Sequence, residues 1–122
     1  EYKDNIIMTG FISQKEKQCL FEGAEAFVYP SLYEGFGIPL LEAMNYGLPI
    51  ITANVSSLPE VGQDVVMYVK EPKDADDMAA LLKKCAGLSD AEKENIAYND
   101  KKQRDKFSWE KCASETLGYL TE

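Results

Sequence analysis

Four short, almost continuously apolar runs punctuate the chain up to Val69. They are Asn5-Ile6-Ile7-Met8-Thr9, Ala26-Phe27-Val28-Tyr29, Pro49-Ile50-Ile51-Thr52 and Val65-Val66-Met67-Tyr68-Val69. Strands buried on both faces read this way, because neither face meets water. Gly10 closes the first run and Pro30 the second. Segments with helical spacing lie between them. Lys15 to Gly23 carries Cys19 and Leu20 and stops at glycine. Pro39 to Tyr46 has proline at its first position, apolar Leu40, Leu41, Ala43 and Met44, and Gly47 as the stop,. This alternation predicts parallel strands joined by helical crossovers, hence an α/β sheet.

The last third reads as helices alone. Asp74 is placed to cap a helix with Met78, Leu81, Leu82 and Cys85 on one face, the i, i+3, i+4, i+7 pattern,. Ser89 with Glu92 forms a capping-box pattern that opens a polar helix through about Lys106,. Ser108 caps a final helix whose stripe holds Trp109, Cys112, Ala113, Thr116, Leu117 and Leu120, with Trp109 as its core anchor,. The Lys101 to Lys106 charge run reads as a solvated helix face.

Composition narrows the chemistry. A chain of 122 residues, 45% hydrophobic and 28% charged, is one domain's worth of ordinary globular sequence,. No apolar run approaches the ~20 residues of a membrane helix, and no basic stretch precedes an apolar one as in a signal peptide. The net charge of −8, from 21 acids against 13 bases, makes nucleic acid and anionic membranes poor partners,. There is no histidine, so no Ser-His or Cys-His mechanism can be built from this chain,. Cys19, Cys85 and Cys112 are odd in number and widely spaced, and read as reduced packing thiols of a cytoplasmic protein,. The chain opens at Glu1 in what reads as the middle of a domain, so a fragment is expected.

The informative stretch runs from Tyr29 to Gly47. It leaves the end of a strand, turns through Gly35 and Gly37 and enters a helix. In open α/β sheets, ligands bind beyond the carboxyl ends of the strands. A helix start supplies unpaired N–H groups and the positive end of a dipole, which suits phosphate. Gly37, Ile38, Leu40 and Leu41 can donate there; Pro39 cannot. Local backbone donors of this kind let an acidic chain hold an anion. Glu34 and Glu42 bracket the turn with seven residues between them. A carboxylate beside a phosphate cradle is unfavourable unless it serves another group, and sugar or ribose hydroxyls are natural candidates. The alternative is structural: Glu34 favours the helix start electrostatically and Glu42 pairs with a surface lysine.

The segment Pro30-Ser31-x-Tyr33-Glu34-Gly35-Phe36-Gly37-x-Pro39-x-x-Glu42-Ala43-Met44-x-x-Gly47-x-Pro49-Ile50-Ile51 resembles the E-x7-E signature of the retaining glycosyltransferases of group 1, family four. The flanks agree. Ile7-x-Thr9-Gly10-Phe11-Ile12 resembles the family's preceding strand and glycine, Ser56-Ser57-Leu58-Pro59-Glu60-Val61-x-x-Asp64 its following loop, and Phe107-Ser108-Trp109 the opening of its last helix.

The resemblance implies a GT-B enzyme, with two Rossmann-like domains and an active site in the cleft between them. Residues 1–122 would be part of the C-terminal, donor-binding domain: a Rossmann-like parallel sheet with helical crossovers and C-terminal helices. By resemblance, Glu34 contacts the donor sugar near the reacting centre and Glu42 the ribose hydroxyls. The backbone of Gly35, Phe36, Gly37, Ile38 and Leu40 approaches the sugar and diphosphate, and the base lies against Phe11 and Ile12. The implied reaction transfers a sugar from a nucleoside-diphosphate sugar with retention, without a metal or other cofactor. A glycan, lipid or small-molecule acceptor is reached through a domain absent here, and any peripheral membrane contact belongs to the full-length enzyme; the piece alone is expected to be inactive. The family also uses an Arg and a Lys from earlier loops, which have no counterpart in this chain. In the family's strand order 3-2-1-4-5-6, the run at Ile6 matches the third strand and the run at Phe27 the fourth. The two strands between them are missing. Three outcomes are open: borrowed strands, the two runs becoming neighbours, or a longer molecule.

Other signals carry less. Gly35-x-Gly37 is not a dinucleotide fingerprint, because the third glycine would fall at Leu40,. Asp74-x-Asp76-Asp77 resembles the DxD metal motif of the other glycosyltransferase fold, but its place at a helix start favours a cap,. Tyr33 and Phe36 are placed to stack on a sugar, and for Phe36 plugging the loop into the core is equally open. Ser56 and Ser57 are read as caps of a short turn. Two further functions stay open: a non-catalytic nucleotide or sugar-phosphate binding module, and a structural Rossmann-like domain without ligand.

Overall fold

The computed structural model describes residues 3–121. After a 3-10 turn at Lys3–Asn5, the order is α1 (Gln14–Gly23), β1 (Phe27–Tyr29), α2 (Ile38–Met44), β2 (Ile50–Ala53), α3 (Leu58–Gly62), β3 (Met67–Val69), α4 (Ala75–Ala86), α5 (Asp90–Arg104) and α6 (Trp109–Thr121). The three strands form one parallel sheet in the order β1-β2-β3. Phe27, Val28 and Tyr29 pair with Ile50, Ile51 and Thr52, and Ile51, Thr52 and Ala53 pair with Met67, Tyr68 and Val69. The architecture is the expected α/β one, consistent with a Rossmann-like domain.

β2 lies at the centre, and all four of its residues are buried. The core around it takes Leu40, Ala43 and Met44 from α2, Leu58 and Val61 from α3, Cys85 from α4 and Phe21 from α1. Caps set the helix starts. Asp74 accepts from the backbone of Asp76 and Asp77, and Ser89 and Glu92 form the expected capping box. A second capping box, Ser13 with Glu16, opens α1; it satisfies two backbone donors that would otherwise be orphaned,. α5 is clamped to the rest by Arg104, which donates to Asn45 Oδ1 at 2.8 Å, and by Gln103, which donates to the Val61 carbonyl at 2.9 Å.

Several expectations are corrected. The Asn5–Thr9 run forms no strand: its start lies in the 3-10 turn, and Ile6, Ile7 and Met8 are exposed. A strand is held by a ladder to a neighbour, and this run pairs with none among the described residues,. The two runs at Ile6 and Phe27 therefore do not become neighbours here, and β1 is an edge whose Val28 is exposed. α6 forms as expected, with Ser108 Oγ accepting from the Lys111 backbone. Its stripe, however, touches no core: Trp109 is 77% exposed, and Leu117 and Leu120 are exposed too. Trp109 is not a core anchor. Cys19 and Cys112 are exposed, so only Cys85 is a packing thiol. α5 ends at Arg104, within two residues of the expected end near Lys106,. No helix among the described residues is long and apolar enough to cross a membrane.

Candidate functional site

β1 delivers the chain to the site. Tyr29, its last residue, is anchored through its carbonyl, which accepts from Thr52 Oγ1 on β2 at 2.8 Å. The chain then turns through Pro30 to Gly37 and enters α2, with Pro39 in the first turn. Gly37 is required by geometry: its φ of +107° is left-handed, and a Cβ there would meet Leu58 Cδ2 at 3.0 Å,. Gly35 is different. A Cβ added there would face open space.

Glu34 is held at both ends. Its Oε1 accepts from the Tyr29 hydroxyl at 2.5 Å and from Ser31 Oγ at 2.7 Å. Ser56 Oγ accepts from the Glu34 N–H and donates to the Glu34 carbonyl, each at 2.9 Å, and Ser57 Oγ donates to that carbonyl at 3.1 Å. Ser56 reaches this position through a left-handed φ of +47°. Ser56 and Ser57 are thus a clamp on the glutamate loop and not caps of α3; Ser57 precedes that helix but makes no side-chain cap bond. The Tyr29 hydroxyl, and then Ser31, hold the Glu34 carboxyl below the usual carboxylate range,. The same contact raises the Tyr29 phenol, so it stays a neutral donor.

Glu42 lies on α2, and its Oε1 accepts from Lys17 Nζ on α1 at 2.6 Å. Both side chains are about one-third exposed. They border a groove of about 350 Å³ between the two helices, lined also by Phe21 and Tyr46, whose rings stack at 5.1 Å. The alternative in which Glu42 pairs with a lysine is therefore realised. The alternative in which Glu34 acts on the helix start is not, since its carboxylate turns back to Tyr29 and Ser31.

The backbone donors expected at the turn are partly spent. The Leu40 N–H is bonded to the Gly37 carbonyl at 2.9 Å, which removes it from any ligand. Leu40 itself is fully buried in the core. Ile38 is exposed at the start of α2. Phe36 packs edge-on against Phe107 at 5.8 Å and still exposes 44% of its surface, while Tyr33 is exposed. Phe11 is fully exposed, and Ile12 is half-buried in a shallow groove with Thr9 and residues of α1. No group of three or more His, Cys, Asp or Glu is clustered as for a metal among the described residues.

Both glutamates thus share one design. Each commits Oε1 to donors within the chain, and no described residue donates to either Oε2. Two fixed carboxylates, each with an oxygen free to accept, stand on either side of a turn shaped by Gly37. Such an arrangement can take up hydroxyl groups. Tyr29 and Lys17 were not legible as its partners: Tyr29 read only as the end of a strand, and the separation of 25 positions between Lys17 and Glu42 hides their contact.

The model of the glycosyl transferases group 1 family matches residues 1–103. The chain is 39% identical over 108 residues to O-antigen chain mannosyltransferase B of Escherichia coli, covering 88% of this chain and 28% of that protein. It is 36% identical over 112 residues to a serotype-specific mannosyltransferase of Escherichia coli, covering 91% of this chain and 13% of the relative. It is also 36% identical over 111 residues to MMP alpha-(1->4)-mannosyltransferase of Mycolicibacterium hassiacum, covering 87% and 26%. The chain therefore spans less than a third of the length of these relatives. With its parallel sheet and helical crossovers, it belongs to the glycosyl transferases of group 1.

Proposed function

We propose that residues 1–122 are part of the donor-binding domain of a retaining glycosyltransferase, which takes a sugar from a nucleoside diphosphate and passes it to an acceptor. The observation that carries this is the pair Glu34 and Glu42, each with one oxygen held and one oxygen open beside the Gly37 turn. Glu34 accepts from the donor sugar near its reacting carbon. Glu42 accepts from ribose hydroxyls. The exposed backbone of Gly35, Phe36 and Ile38, with the buried Gly37 shaping the turn between them, lies along the sugar and diphosphate, and Phe11 and Ile12 lie along the base. Leu40 contributes packing that fixes α2, because its N–H is already bonded.

Retention requires the acceptor oxygen to arrive on the face from which the diphosphate leaves. The acceptor, whether glycan, lipid or small molecule, is bound by a further domain of the full-length protein, in the cytoplasm. Stabilisation of the departing diphosphate is electrostatic and uses no metal or other cofactor. The names of the relatives favour mannose as the sugar and a polysaccharide as the product.

The test uses the full-length protein. Glu42→Ala is expected to raise the donor KM, and Glu34→Ala to lower kcat by about a hundredfold or more. Calorimetry with GDP, UDP and ADP is expected to show a preference for one base. Wild-type kcat/KM in both variants would exclude this function. Nucleotide binding without any sugar transfer would favour a non-catalytic binding module.

A further inference from the structure

The Glu34 carboxylate receives both of its protein hydrogen bonds on one oxygen. Tyr29 and Ser31 converge on Oε1, although they come from different elements, the last residue of β1 and the loop after it. Oε2 receives none from the described residues. The backbone of Glu34 is gripped separately by Ser56 and Ser57, so the side-chain contacts are not needed to hold the loop. Tyr29 is fixed in turn. Its ring stacks on Phe27 at 5.8 Å, and its backbone pairs with Thr52 in the sheet. The phenol is therefore a rigid donor mounted on the sheet, aimed at one oxygen of a glutamate in a turn.

We propose that Tyr29, with Ser31, is a positioning residue for the transfer reaction: it fixes the rotamer of Glu34 so that Oε2 alone faces the donor sugar. This rests on the donor-facing role assigned to Glu34 above. A carboxylate free to rotate would present either oxygen and would exchange with water. One held by two O–H donors presents a single acceptor at a fixed angle. The same two bonds keep the carboxylate ionised to lower pH than an unrestrained glutamate,. Tyr29 touches no reacting atom in this scheme and acts only through Glu34.

The test compares Tyr29→Phe, Ser31→Ala and Glu34→Gln in the full-length protein, with the donor varied and pH scanned. Tyr29→Phe keeps the ring and its stacking on Phe27, so the fold is retained. It is expected to lower kcat about tenfold, as loss of one charge-assisted hydrogen bond would. The donor KM is expected to change less than twofold, and the acid limb of the kcat profile to move to higher pH. A merely structural tyrosine would move thermal stability and leave that limb in place. Should Tyr29→Phe fold poorly, Ser31→Ala reads the second donor to the same oxygen and is expected to shift the limb in the same direction. Wild-type kcat and acid limb in both variants, with Glu34→Gln inactive, would overturn the positioning role and leave Glu34 in place. A fully active Glu34→Gln would instead overturn the role of Glu34 on which it rests.

Discussion

Gly47 and Ala97 touch so closely that nothing larger than hydrogen fits between them: a Cβ on Gly47 would lie 2.5 Å from the Ala97 Cβ and 3.0 Å from its Cα. This contact is where α5 rests on the end of α2. Gly47 also has a left-handed φ of +62°, and its N–H caps α2 through the Met44 carbonyl at 3.2 Å. Gly47→Ala therefore combines backbone strain with overpacking. A loss of about 2–4 kcal/mol is expected, read as a lower denaturant midpoint. An unchanged midpoint would mean that α5 is not seated on α2 as described.

Asp100 lies on the same buried side of α5, fully inaccessible, and neither carboxylate oxygen has a hydrogen-bond partner among the described residues. Burial raises its carboxyl to about 7. The folded protein thus binds a proton that the unfolded chain releases at the ordinary aspartate value. Stability is greatest below that value and falls as pH rises from about 4 to about 7. Asp100→Asn removes this dependence. Relative to wild type, the variant is expected to gain about 2–4 kcal/mol between pH 4 and pH 8, measured by unfolding at both pH values. Parallel pH profiles for the two proteins would refute it.

Gly35 separates ligand approach from folding. Its added Cβ meets nothing within 4 Å, and its φ is not left-handed. Gly35→Ala should leave stability within about 0.5 kcal/mol. If a donor sugar lies along this backbone, the same methyl group is expected to raise the donor KM at least tenfold in the full-length protein. Unchanged donor kinetics would remove Gly35 from the site.

Much of this molecule is legible locally. The alternation of apolar runs and helical segments predicts the parallel sheet, because a strand covered on both faces must be apolar throughout. The caps at Asp74 and Ser89 follow from spacing, because an N-cap bond spans only two or three residues,. The glycine turn at Gly35 and Gly37 between Glu34 and Glu42 is a feature of the chain itself.

Tertiary structure decided the rest. Whether the Asn5–Thr9 run becomes a strand depends on a neighbour to bond with, and whether the α6 stripe is core depends on a surface to meet; pattern alone records neither. The partners of the two glutamates are of the same kind. Ser56 reaches Glu34 across 22 residues and Lys17 reaches Glu42 across 25, distances at which residue type carries no trace of contact. Sequence by itself determined which carboxylates and glycines stand at the turn. The packing of α1, β1 and the loop after β1 decided which oxygen of each carboxylate is held, and so which is left for a ligand.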